Sequence, residues 1–171
     1  MNMIICSKRI ITKNGTILSK HYKNVVMNIL TLSGHLNTNM GLTWGVGHML
    51  TIDENPGQSI TMVGDKLFGI QLNDGYTYLA AEDGIMFGSI HPTMALEIMY
   101  QLLENKFNGH LYFDTLPQRT DPIKECEYSI KQVKEFRNTA NQLNSKGIKG
   151  IMEEHDALGA LNVIKDAMKA V

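Results

Sequence analysis

Little in this chain ties it to an oxidising compartment, a membrane or a charged partner. Cysteine is scarce: Cys6 and Cys126 stand far apart in 171 residues. They match no metal-ligand spacing, which favours two reduced thiols over a disulfide or zinc framework. Neither sign of charge is in excess, with 16 Lys and Arg against 17 Asp and Glu. Without a global positive field, nucleic-acid binding would need a local basic patch. No apolar run reaches membrane length, and Lys8 and Arg9 interrupt the N-terminal MNMIICSKRII. No membrane partner, membrane span or secretory signal is therefore expected, and the expected location is the cytoplasm. The six histidines form no HxH or HExxH arrangement. The phosphate-cradling glycine loops and the GxSxG elbow are also missing.

What is present is an ordinary globular composition, 43% hydrophobic and 19% charged, in a length suited to one domain. Residues 67–114 give the most informative stretch. LFGIQL, YTYLAA and IMFGSI read as three antiparallel strands joined by Asn73-Asp74-Gly75 and Glu82-Asp83-Gly84. The Asp-Gly pairs supply the positive φ that a tight hairpin needs. Pro92 then suits the first turn of a helix, whose stripe is Ala95, Ile98, Met99, Leu102 and Leu103. Asn108-Gly109 stops it, and HLYFD forms the next strand.

Upstream, Asn14-Gly15 predicts a hairpin between Met3–Thr12 and Thr16–Leu18. Val25–Leu32 reads as a strand, with helix as the alternative, and Leu42–Ile52 and Ser59–Val63 read as strands, with Pro56-Gly57 as a loop corner. Downstream, Asp121-Pro122 predicts an N-cap and a first helical residue. An apolar stripe follows at Ile123, Cys126, Ile130, Val133, Phe136, Ala140 and Leu143. Ile148–Met152 reads as a short strand, and a last helix starts near Asp156. The fold class expected is a single α/β (α+β) domain over residues 1–171. It would carry a mixed, largely antiparallel sheet, with three main helices in the C-terminal half.

Asp74 at a turn, Asp114 ending a strand and Asp156 opening a helix invite a chemical reading, with Glu97 as a fourth carboxylate. Clustered carboxylates hold Mg²⁺ or Mn²⁺, which activate water and stabilise a leaving oxygen. The order of elements is similar to that of ribonuclease H-like nucleases. EHDALGALNVIKDAM resembles their C-terminal block through His155, Asn162 and Asp166, and it also looks like the DAxDAL helix of Holliday-junction resolvases. The departures are Gly159, where that helix carries an Asp, and Gln71, inside a strand where an Asp is usual. Because a residue ending a central strand and one opening the last helix can meet at one edge of a mixed sheet, the expected site has metal ligands Asp74, Asp114 and Asp156, with Asp114 and His155 catalytic, in phosphodiester hydrolysis. LTWGVGHML also looks like a segment of type IA topoisomerases, but the Glu and Asp-x-Asp that their chemistry needs do not accompany it.

Two other classes stay open. One is a non-catalytic binding or assembly module, forming a homo-oligomer or a protein complex. The other is a small-molecule enzyme using the glycine-rich Gly34–Gly47 segment, where His35 and His48 stand and backbone can approach a ligand.

Overall fold

The computed structural model describes residues 3–6, 9–11, 17–20, 40–51, 53–76, 83–118 and 120–169, the first three stretches and Met40 by their backbone. The sheet order is β3-β2-β1-β4-β5-β6. Its centre is three strands, β4 (Met40–Gly45), β5 (Leu67–Leu72) and β6 (His110–Phe113). All are parallel and adjacent in chain order. On the far side of β4, β1 (Met3–Cys6) pairs parallel, and β2 (Arg9–Ile11) and β3 (Ile17–Lys20) follow antiparallel.

Parallel neighbours need crossovers, and helices supply them. Between β4 and β5 lie α1 (Val46–Leu50) and α2 (Pro56–Val63). Between β5 and β6 lies α3 (Pro92–Glu104). After β6 come α4 (Pro122–Ser145), α5 (Ile148–Glu153) and α6 (Ala157–Met168). No helix among the described residues is long and apolar enough to cross a membrane.

The expectation of a mixed, largely antiparallel sheet is overturned by this parallel centre. Among the described residues, the supposed hairpins of 67–90 are one strand, β5, followed by a single antiparallel bridge between Asp74 and Ile85. Most of the proposed middle strand, residues 77–82, lies outside the described residues. So do the Asn14-Gly15 turn, the Val25–Leu32 strand and His35.

Ser59–Val63 is helical, not extended. The Asn55 side chain accepts from the Gln58 N–H at 2.7 Å and Pro56 follows it, a cap and first-turn pair rather than a loop corner. Gly45 ends the strand that was expected to run on to Ile52. Ile148–Met152 is also a helix, entered through Gly147 at φ 73°.

The two faces of the central strands differ sharply. Trp44, Ile70 and Leu111 are registered across the sheet, as are Leu72 and Phe113 one step on. Trp44, Ile70 and Leu72 are buried, and they join Ile60, Leu96, Ile98 and Leu102 of the helices in one apolar core. Complete burial of each such side chain contributes about 1.5–3 kcal/mol. The opposite face carries Thr43, Gly45, Gly69, Gln71, His110 and Tyr112, a small and polar set. Phe136 of α4 packs edge-on to Phe87, ring centroids 6.0 Å apart, and ties the longest helix to the segment before α3.

Candidate functional site at the C-terminal ends of the parallel strands

In parallel β/α architectures, loops leaving the C-terminal strand ends build the site. Asn73 and Asp74 leave β5 at that edge, Asp114 leaves β6, and β4 runs into α1 with His48. Asn73 is completely buried. Its Oδ1 accepts from the Gly47 N–H at 2.7 Å, and its Nδ2 donates to the Asp114 carbonyl at 2.9 Å. One amide thus clasps the ends of three strands. Gly47 leaves room for this amide, since a Cβ there would crowd the Asn73 Nδ2 at 3.0 Å.

Asp74 is 3% exposed. Its Oδ1 accepts from Gly75 N–H and from His91 Nδ1, both at 2.8 Å. Its Oδ2 accepts from the N–H groups of Ile90 at 2.9 Å and His91 at 2.8 Å. Four donors fill the four acceptor positions of a carboxylate. This arrangement organises the start of α3 and presents His91, whose side chain is 30% exposed. A carboxylate accepts only, so Nδ1 carries the hydrogen and the neutral ring keeps its lone pair on Nε2.

Asp114 is half-buried, and its own N–H reaches the Leu72 carbonyl at 3.4 Å. Asp74 and Asp114 therefore share one edge of the sheet. Asp156 does not join them. It caps α6, accepting from Gly159 N–H at 2.9 Å. The far end of α6 is the one near the site, where the Thr93 hydroxyl meets Met168 Sδ at 3.9 Å. Twelve residues of helix put Asp156 about 18 Å from that contact.

His155, exposed at φ 58°, merely links α5 to α6. Lys149 of α5 stands 3.9 Å from Glu104 at the end of α3, and this confirms that α5 lies at the opposite end of the molecule. There burial, then Glu104 and Glu153, push the Tyr100 hydroxyl above its ordinary range.

The three carboxylates expected to hold Mg²⁺ or Mn²⁺ are thus split between two ends. Among the described residues no three His, Cys, Asp or Glu side chains are grouped as a metal set. Glu97, the fourth carboxylate, accepts from Asn55 Nδ2 at 3.2 Å between α2 and α3. The glycine-rich stretch takes part in another way than expected, since Gly45 and Gly47 make room for Gln71 and Asn73.

Consecutive β/α units whose parallel strands neighbour one another in chain order, as β4, β5 and β6 do, are the repeating unit of (β/α)-barrel proteins and occur also in open α/β sheets. Comparison with solved structures agrees. A crystal structure titled D-tagatose 3-epimerase-like protein superposes with a TM-score of 0.55 at 16% sequence identity. The match covers 74% of this chain and 45% of that one, so the likeness is one of fold and takes in less than half of the neighbour. No protein-family model and no curated sequence matches the chain. The expectation of a ribonuclease H-like, magnesium-dependent nuclease is thereby corrected. The centre of the sheet is parallel, and Asp156 and His155 lie away from Asp74 and Asp114.

Proposed function

We propose that this chain forms part of a small-molecule enzyme that moves a proton on a polyhydroxylated carbonyl compound, a sugar epimerase or isomerase. The observation that carries the reading is the Asp74–His91 pair at the C-terminal rim of a parallel sheet. The fold neighbour's title supports it, because epimerisation at carbon 3 of a 2-ketose is proton removal and return beside a carbonyl.

His91 takes the role of acid and base. Its Nε2 removes the proton from the carbon next to the carbonyl, and the imidazolium so formed is stabilised by the buried Asp74 carboxylate. Return of the proton by His91 to the neighbouring carbon, on the same face, gives the isomer, and delivery of a proton to the opposite face by solvent water gives the epimer. Asp114, on the adjacent strand end, accepts hydrogen bonds from substrate hydroxyls.

The test is incubation with free ketoses in deuterium oxide. Incorporation of deuterium at the carbon beside the carbonyl is expected, with a loss of about a hundredfold or more in His91→Asn. Equal incorporation by His91→Asn and the natural chain would remove His91 from the chemistry. Absence of any incorporation over a full panel of pentuloses and hexuloses would defeat the reading.

A further inference from the structure

One row on the polar face of the sheet goes beyond the acid–base pair. Gly45 is registered with Gln71, and Gln71 with Tyr112, across β4, β5 and β6. Side chains registered in parallel strands leave the sheet on the same side. The row lies one side-chain step below Asn73 and Asp114, on the same face. A Cβ on Gly45 would stand 2.8 Å from Gln71 Oε1 and 2.9 Å from His48 Cδ2. The Gln71 carboxamide therefore leans over Gly45 towards His48, in room that only glycine leaves. Gln71 is half-buried, and its carboxamide makes no hydrogen bond with the described residues. Beside it, Tyr112 is 39% exposed.

We infer that Gln71 and Tyr112 form the recognition subsite for the hydroxylated carbon chain of the substrate, at the same C-terminal strand edge as the Asp74–His91 pair and distinct from it. This inference rests on the sugar reading above. A carboxamide places a donor and an acceptor side by side, which matches two neighbouring hydroxyls that each can give and take a hydrogen bond. The tyrosine ring offers an apolar surface with a polar tip, suited to the C–H face of a sugar. Gly45 supplies the floor, and any larger residue would displace the Gln71 amide. Gln71 and Tyr112 are specificity-determining groups that leave the proton transfer to His91.

The subsite is tested by calorimetric titration of the whole chain with D-tagatose and D-fructose, and with cyclohexanone as a carbonyl compound without hydroxyls. Gln71→Leu and Tyr112→Ala are each expected to weaken ketose binding about tenfold, while His91→Asn binds within about threefold of the natural chain. Gln71→Glu keeps the acceptor and the shape, so it should fall between, and it guards against a folding artefact in Gln71→Leu. Cyclohexanone should not distinguish the variants.

Ketose binding unchanged in both Gln71→Leu and Tyr112→Ala would overturn the subsite, as would failure of the natural chain to bind either ketose. The two readings separate cleanly. Ketoses that bind through Gln71 and Tyr112 without deuterium incorporation leave the subsite standing and defeat the reaction. Incorporation at an unchanged KM in both variants does the reverse.

Discussion

At the C-terminal rim, Asp74 gathers four N–H donors, three of them from residues 16 or 17 positions away. At the opposite end, Asp156 accepts from Gly159, three positions on, and stays exposed. Both are aspartates at the edge of an element. One is a tertiary organiser that holds the His91 backbone and ring, the other a local cap. What separates them is the reach of their hydrogen bonds and their burial, not their place in the local sequence.

The contrast can be broken or sharpened by substitution. Phe136→Ala should cost about 3–5 kcal/mol in a denaturant titration, because Phe136 is buried and joins α4 to the segment that Asp74 anchors. Asp74→Ala should cost on the order of 3 kcal/mol, since it strands several N–H groups in or near the core. A loss comparable to a surface change would reduce Asp74 to the turn former that the sequence suggests. Asp156→Ala should cost only about 1 kcal/mol, the usual value of an N-cap, and leave any turnover unchanged. Equal losses in Asp74→Ala and Asp156→Ala would erase the difference between the two ends.

The smallest effect concerns Tyr100, at the Asp156 end. Burial first, then Glu104 and Glu153, raise its pKa in the folded state. The neutral phenol is the form the fold favours. Its contribution is complete below the unfolded value near 10 and is lost as pH rises through the raised folded value. Tyr100→Phe should therefore flatten the alkaline limb of a plot of Tm against pH. An unchanged limb would show that other groups set it.

The parts of the fold legible in the sequence are those punctuated locally. Asp121 accepts from the N–H groups of Ile123 and Lys124, so the start of α4 could be read directly. Pro92 marked α3, and Asp114 was recognisable at the end of a strand. The misreadings come from residues whose local signal has two meanings. Asn55-Pro56 serves a turn or a helix start, and the burial of Ile60 and Val63 against the core selects the helix.

Asp74-Gly75 looked like hairpin chemistry, but the Asp74 carboxylate is claimed by Ile90 and His91. In α4 the apolar periodicity pointed to Ile123 and Ile130, which are 70% and 41% exposed. Its first turns bury Glu125 and Ser129 instead, with the Thr120 hydroxyl donating to Glu125 Oε2 at 2.6 Å. Packing against other elements decides that face, and helical spacing carries no record of it.

The site was half legible. Asp74 and Asp114 were singled out, but with Asp156 and His155, which lie at the wrong end. His91 stood next to Pro92 at a helix start, the one local sign of its position. Gln71 on β5 and Asn73 just past its end stand two residues apart and so share a face, a signal present in LFGIQLND. It becomes informative only once β4 and β6 are known to run parallel beside it.

The most direct test of the account is the tautomer of His91, read by long-range nitrogen–proton NMR at a pH where the ring is neutral. The hydrogen is expected on Nδ1 in the natural chain, with Nε2 unprotonated, and Asp74→Asn should shift the balance towards hydrogen on Nε2. A natural chain with the hydrogen on Nε2, or a tautomer indifferent to Asp74→Asn, would contradict the claim that Asp74 holds His91 ready as the base.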